Sequence, residues 1–287
     1  VNACREAIRI KPDFADAHCN LGGAYLLMQR LPEAMEAYRD AVKFQPHNAK
    51  YHSNLGGVLL RLGKQREAIV SFENALQIDP IDAFTRSNLI LASSYVTASA
   101  GALQLQTAKW DRIHAMPLRG AVLPHRNIPD PQRQLRVGYV SGDFRNHAAA
   151  YWIEPLLAAL HNVDFAVVCY SNSARVDAVT ERIKSFADTW VECATLTDEA
   201  LAERIRADGI DILVDLSSHT EGHRLLTFAR QPAPIQVSWF GFPVSTGLQA
   251  MQYRFTDAMI DPPGETEDFY SEKLIRLSRF YAAFRPD

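Results

Sequence analysis

From residue 135 onward, apolar residues fall into short runs divided by stretches of helical spacing. "LRVGYVS" (135–141), "FAVVCYS" (165–171), "IDILVDLSS" (210–218) and "PIQVSWFGF" (234–242) are apolar and end in turn signals, so they predict buried strands. "YRFTDAMID" (253–261) and "KLIRLS" (273–278) are weaker versions of the same pattern. Between the first two runs, "AAAYWIEPLLAAL" (148–160) puts Trp152, Leu156, Ala159 and Leu160 on one helical face, with His161 closing the helix. "VDAVTERIKSFA" (176–187) and "DEALAERIRADG" (198–209) predict two more helices, the second ending at Gly209. Strands alternating with helices predict a doubly wound parallel sheet over residues 135–287.

The first third follows a different rule. Ala7, Ala41 and Ala75 recur every 34 residues, as do Pro12, Pro46 and Pro80. Leu21-Gly22 returns as Leu55-Gly56, Ala34 as Ala68, and Tyr38 as Phe72. Small residues at such positions let two helices approach, large ones fill the gap, and proline closes each unit because it cannot continue a helix. In period and pattern residues 1–98 resemble tetratricopeptide repeats. "ACREAIRIKP" reads as a second helix only, and "DAFTRSNLILASSYV" as a first helix with Ile90 in place of the glycine. About two whole repeats plus fragments lead us to expect more chain on the N-terminal side, since such stacks usually need three. A concave repeat face is suited to a protein or peptide partner.

Residues 99–134 form a connector: helical in "GALQLQTAKWDRIHAM", then broken by Pro117, Pro124, Pro129 and Pro131. His125 and Arg126 within it read as solvated. Composition narrows the function classes. A formal charge of −3 argues against nucleic acid or an anionic membrane as partner. No apolar run approaches the ~18 residues of a membrane span. Cys4, Cys19, Cys169 and Cys193 are scattered, neither paired in C-x-x-C nor grouped with histidines, which predicts free thiols and a cytoplasmic setting.

Doubly wound sheets bind ligands outside the carboxyl ends of their strands. Those ends here are "GDFRNH", "SSHTEGHR" and "FGFPVSTG", and of nine histidines His147, His219 and His223 fall in them. His147 either caps the helix that follows or accepts a proton, a task histidine suits near neutral pH. His219 follows a strand too apolar to lie at the surface, which marks it as a second candidate. Asp143 could orient a histidine or take a proton itself, whereas Asp215 reads as structural and His223 as lying at the surface or behind the site. "FGFPVSTG" is neither a Walker nor a dinucleotide loop, although its glycines and hydroxyls could let backbone approach a sugar or phosphate. Without a G-x-S-x-G elbow or a D-x-D pair, α/β-hydrolase chemistry and a metal–nucleotide site are both disfavoured.

Taken together, "LRVGYVSGDFRNH", "VVCYSNSARVDAVTERI", "DGIDILVDLSSHTEGHR", "FARQPAPIQVSWFGFPVSTG" and "FYSEKLIRL" resemble the O-linked N-acetylglucosamine transferase family, in order and over essentially the whole chain. The resemblance implies tetratricopeptide repeats followed by the N-terminal lobe of a two-lobe (GT-B) glycosyltransferase. It also implies inverting, metal-independent transfer of N-acetylglucosamine from UDP-GlcNAc to Ser or Thr of a protein presented by the repeats, with no cofactor. His147 matches the family's cleft histidine. His219 and Thr220 match a Gly-His-Thr of bacterial members, with Ser218 replacing the glycine; animal members carry tyrosine where His219 stands. Gly241, Pro243, Thr246 and Gly247 match the loop lining the sugar pocket, with Phe242 where tyrosine is common. The resemblance thus implies His147 and His219 as catalytic, and Asp143, Thr220 and the four loop residues as substrate-binding. The family's second lobe would begin where "FYAAFRPD" stands, so the chain alone is expected to be inactive. The competing expectation is a non-catalytic peptide-binding scaffold.

Overall fold

The computed structural model describes residues 1–97, 99–130, 132–160 and 165–280. Pro131 of the connector, His161 and most of "FYAAFRPD" lie outside them. The chain divides into two compact units between Ser99 and Ala100.

The first unit is six helices: α1 (Asn2–Ile10), α2 (Ala15–Leu27), α3 (Leu31–Phe44), α4 (Ala49–Arg61), α5 (Gln65–Ile78) and α6 (Ala83–Ser94). The 34-residue period is a packing period. A Cβ at Gly22 would stand 2.9 Å from the Tyr38 ring, and one at Gly56 2.5 Å from the Phe72 ring, so glycine lets each aromatic ring close its helix pair. Tyr38 and Phe72 are buried, as is Ile90 where the third glycine would fall. Burying each such ring stabilises the unit by about 2–3 kcal/mol. The closing prolines have a repeated partner as well. The carbonyls of Pro12 and Pro46 meet the rings of His18 and His52 at 2.9 and 2.8 Å, and Arg86 donates to that of Pro80 at 2.7 Å. Each pair therefore ties the proline that follows one helix to the helix after it.

The second unit opens with α7 (Ala100–Trp110), which continues through a π turn (Asp111–Ala115) and a 3-10 turn (Met116–Ala121). An extended segment then reaches the sheet, held there by Asp211, whose carboxylate accepts from Asn127, Arg133 and the Arg136 N–H. The sheet comprises β1 (Leu135–Ser141), β2 (Phe165–Ser171), β3 (Thr189–Glu192), β4 (Ile212–Asp215), β5 (Ile235–Trp239), β6 (Tyr253–Asp257) and β7 (Lys273–Leu277). Its order is β3-β2-β1-β4-β5-β6-β7, every pairing parallel. Interleaved are α8 (Ala150–Leu160), α9 (Ala178–Lys184), α10 (Asp198–Ala207) and α11 (Leu225–Phe228). Apolar residues of α8, α9 and the central strands form one core, including Ile153, Leu157, Val167, Ile183 and Val214.

The expected doubly wound sheet is present, with one strand added and one shortened. Thr189–Glu192 is a strand that the pattern missed, because it is a four-residue edge element with only Val191 buried. The third expected strand is shorter than its apolar run and ends at Asp215, which leaves Leu216–Ser218 to the loop. The order reverses at β1, flanked by β2 and β4, and this switch point is where such sheets place ligands.

Candidate active site at the carboxyl edge of the sheet

Three loops meet at the switch point. The loop after β1 leaves Ser141 through Gly142, whose N–H reaches Ser217 Oγ at 3.4 Å. Asp143 is buried and pairs with Arg145 at 3.0 Å, while its Oδ1 stands 3.6 Å from His147 Nδ1. Burial pushes the Asp143 carboxyl up from its ordinary range, against the pull of His147 and Arg145. The His147 side chain is 42% exposed and lines an open cleft of about 400 Å³ with Asn146, Tyr151 and residues of α8 and α9. Its Nδ1 also faces the Ala149 N–H at 3.2 Å, so the ring caps the approach to α8 and borders the cleft at once. The backbone N–H of Asn146 is held by Asp177 at 2.8 Å, the residue that caps α9 with a full capping box.

The loop after β4 is wound around Asp215, which accepts the N–H groups of Ser217 and Ser218 at 3.1 and 2.9 Å. Burial raises Asp215 to about 6. Ser218 adopts φ 47, in the left-handed region where glycine is favoured. Thr220 Oγ1 donates to the Ser217 carbonyl at 2.6 Å and so holds the turn.

His219, the second residue expected to be catalytic, lies inside the edge. It is 0% exposed, and its ring faces Trp110 at 5.6 Å and Phe242 at 5.8 Å between centroids. Its Nε2 meets the Thr246 carbonyl at 2.9 Å, and since a carbonyl only accepts, that nitrogen carries the proton. Burial holds the imidazole down near 3. His219 is thus a neutral staple between two loops. His223 lies edge-on to the same tryptophan and is likewise pushed down by burial, to about 4.

The loop after β5, Phe240–Gly247, has its own reasons for glycine. A Cβ at Gly241 would stand 2.4 Å from the Leu216 carbonyl oxygen, so this residue packs loop on loop. Gly247 has φ 70, and a Cβ there would stand 2.4 Å from the backbone of Thr107 in α7. Pro243 is exposed, whereas Thr246 is buried, with both its N–H and its hydroxyl donating to Glu272 at 2.8 and 2.6 Å. The three loops therefore form one edge: His147 faces outward on the first with the buried Asp143 behind it, His219, Thr246 and Gly241 lock the other two together, and Gly247 seats the third against α7.

Sequence reasoning passed over four residues that hold this edge: Trp110, Asp177, Arg254 and Glu272. Glu272 stands inside the string "FYSEKLIRL", yet nothing local distinguishes it from a surface glutamate. Among the described residues no three His, Cys, Asp or Glu side chains are grouped to hold a metal ion, and no cysteine is paired. No described helix is long and apolar enough to cross a membrane.

Comparison with known proteins supplies the family. Glycosyl transferase family 41 matches residues 96–283, and tetratricopeptide repeat families match 23–63 and 49–82. An Arabidopsis thaliana protein named "Probable UDP-N-acetylglucosamine--peptide N-acetylglucosaminyltransferase SPINDLY" is 37% identical over 164 residues, 56% of this chain and 18% of its own length. The protein given the same enzyme name with the designation SEC, from the same plant, is 37% identical over 150 residues, 52% of this chain and 15% of its own. The solved structure of a mutant O-GlcNAc transferase from Thermobaculum terrenum superposes with a TM-score of 0.90 at 40% identity, over 98% of this chain and 54% of that one. The chain thus spans about half of the bacterial protein and less than a quarter of the plant proteins it matches. With repeats, a seven-stranded parallel lobe and loaded strand ends in this order, the chain belongs to glycosyl transferase family 41.

Proposed function

We propose that this chain is the repeat-bearing, acceptor-side part of a protein O-GlcNAc transferase. In this reading N-acetylglucosamine passes from UDP-GlcNAc to a Ser or Thr hydroxyl with inversion and without a metal. The repeats bind the acceptor polypeptide, and a second lobe completes the nucleotide-sugar site. Family membership and the names of the relatives support the reaction class. The observation that carries the assignment to residues is His147, a half-exposed imidazole at the cleft, backed by the buried Asp143.

The chemistry follows from the two ring nitrogens. While Nδ1 accepts from Ala149, the proton sits on Nε2 and the ring is a cap. A proton on Nδ1, directed at Asp143 Oδ1 3.6 Å away, leaves Nε2 free to accept. The acceptor hydroxyl then attacks the anomeric carbon, its proton passes to Nε2, and the bond to the nucleotide diphosphate breaks with the electron pair leaving on phosphate oxygen. Asp143 stabilises the imidazolium that forms. His219, enclosed between Trp110 and Phe242, keeps the loops in place and takes no proton.

The test supplies this chain with the second lobe of a family 41 transferase, fused or as a separate chain, with UDP-GlcNAc and a Ser/Thr peptide. Sugar transfer should appear, and His147→Ala should lower kcat by about 10²–10⁴-fold, the usual worth of a general base, with a stability loss no larger than the ~0.5–2 kcal/mol of a lost cap. Unchanged turnover in that variant removes the role given to His147. Peptide binding with no transfer would replace the reading with a scaffold.

A further inference from the structure

The Phe240–Gly247 loop is held from behind by two oppositely charged, buried side chains. Glu272, just before β7, is 4% exposed, and both its oxygens are occupied. Oε1 accepts the Thr246 N–H at 2.8 Å and the Thr246 hydroxyl at 2.6 Å. Oε2 accepts from Ser245 Oγ at 2.6 Å and Ser271 Oγ at 3.1 Å. Arg254 on β6, also 4% exposed, takes the opposite half of the loop's polarity, donating to the carbonyls of Phe242 and Val244 at 2.7 and 3.1 Å. Its guanidinium lies 5.5 Å from the Tyr270 ring centroid. The acid therefore holds donors of the loop and the base holds its acceptors.

A carboxylate satisfies all four of these donors at once. Ser245 Oγ already accepts the N–H groups of Gly247 and Ser271, at 2.9 and 3.1 Å, so its lone pairs are used and its proton goes to Glu272 or to Ser271 Oγ 3.1 Å away. A glutamine keeps one accepting oxygen only, and its N–H groups would face the filled Ser245 oxygen and the Ser271 hydroxyl, or else the Thr246 N–H. We propose that Glu272 is a positioning residue for the donor sugar. It fixes the buried Ser245, Thr246 and Gly247, and with them the outward Pro243–Val244 part of the loop that the nucleotide sugar meets, without touching the sugar itself. This rests on the reading given under Proposed function and on the family resemblance, which implies that the loop lines the sugar pocket.

The experiment uses this chain together with the second lobe, comparing wild type, Glu272→Gln and Glu272→Asp. Losing hydrogen bonds to a buried charge should raise KM for UDP-GlcNAc about 10–100-fold, with KM for the acceptor peptide within about twofold. Amide hydrogen exchange at Thr246 and Gly247 should quicken, while that of the β1 amides stays as in wild type. Glu272→Asp keeps every acceptor on a shorter stem and should recover part of the donor KM. An active Glu272→Gln variant with unchanged donor KM overturns the proposal. So does a loss of activity that follows only the folded fraction, with β1 amides exchanging faster too. Absence of transfer by the wild-type protein would instead sink the functional reading itself, a distinguishable outcome.

Discussion

In the repeats, one contact is made twice: Gly22 against Tyr38, then Gly56 against Phe72. In the sheet unit no two loops of the active edge are held alike. Asp177 from α9 holds the first, Asp215 within its own loop holds the second, and Glu272 with Arg254 holds the third. A repeated contact tolerates change in one copy because the others persist, and stability in such stacks is roughly a sum of neighbouring terms. A contact made once, at the meeting of several elements, has no substitute.

Gly247→Ala should show that difference most strongly. The new methyl group meets the Thr107 backbone at 2.4 Å and the residue must keep φ 70. Strain and overpacking together should cost about 3 kcal/mol or more, read as a lower urea midpoint for the sheet unit. Gly56→Ala meets only the Phe72 ring, at 2.5 Å, which can swing aside, so about 1–3 kcal/mol is expected from the same measurement. Equal losses in the two variants would erase the distinction between the units.

The same contrast decided what could be read beforehand. The repeat period located the glycines, the rings and the closing prolines because each has a copy to be checked against. In the sheet unit, apolar runs marked six strands, but Thr189–Glu192 is an edge strand with too little burial to leave a pattern. Strand ends named the loops that the fold brings to one edge and could not say which side chain faces inward. His147 and His219 both follow buried strands. One is half-exposed and the other enclosed, because Trp110, from a helix far upstream, covers the second. Glu272 and Asp177 are silent in sequence for the same reason, since their partners lie in other loops.

The enclosed histidines give the edge a pH response of known sign. His219 near 3 and His223 near 4 lie below their ordinary value of 6.5, so the fold refuses protons that the unfolded chain accepts. Their contribution to stability is complete above 6.5 and is lost as the pH falls towards 4. Asp215, raised to about 6 from 3.8, acts in reverse: its contribution is complete below 3.8 and lost as the pH rises through 6. Asp143, also pushed up by burial, acts with Asp215, and the larger downward shifts of the two histidines outweigh the pair, so urea midpoints of the sheet unit should fall between pH 7 and pH 5. His219→Gln, which can still donate to Thr246, should flatten that fall, and Asp215→Asn should steepen it. A His219→Gln midpoint that drops as far as wild type would remove the enclosed histidine as a source.

The smallest effects should have opposite signs in the two units. Gly57, inside α4, has no atom within 4 Å of where a Cβ would stand, so Gly57→Ala gains helix propensity and should stabilise the repeats by up to about 1 kcal/mol. Ser218 inverts the argument. Its φ of 47 costs a residue with a Cβ about 1–2 kcal/mol, and its Oγ is buried without a hydrogen-bond partner, a further penalty. Ser218→Gly removes both, while the freer unfolded chain returns about 0.4–1 kcal/mol. The net gain should be about 1 kcal/mol in the sheet unit, measured by urea midpoint, with the Asp215 hydrogen bonds to the backbone retained. A destabilised Ser218→Gly would mean that the hydroxyl has a role the loop needs, and that this edge is built around serine.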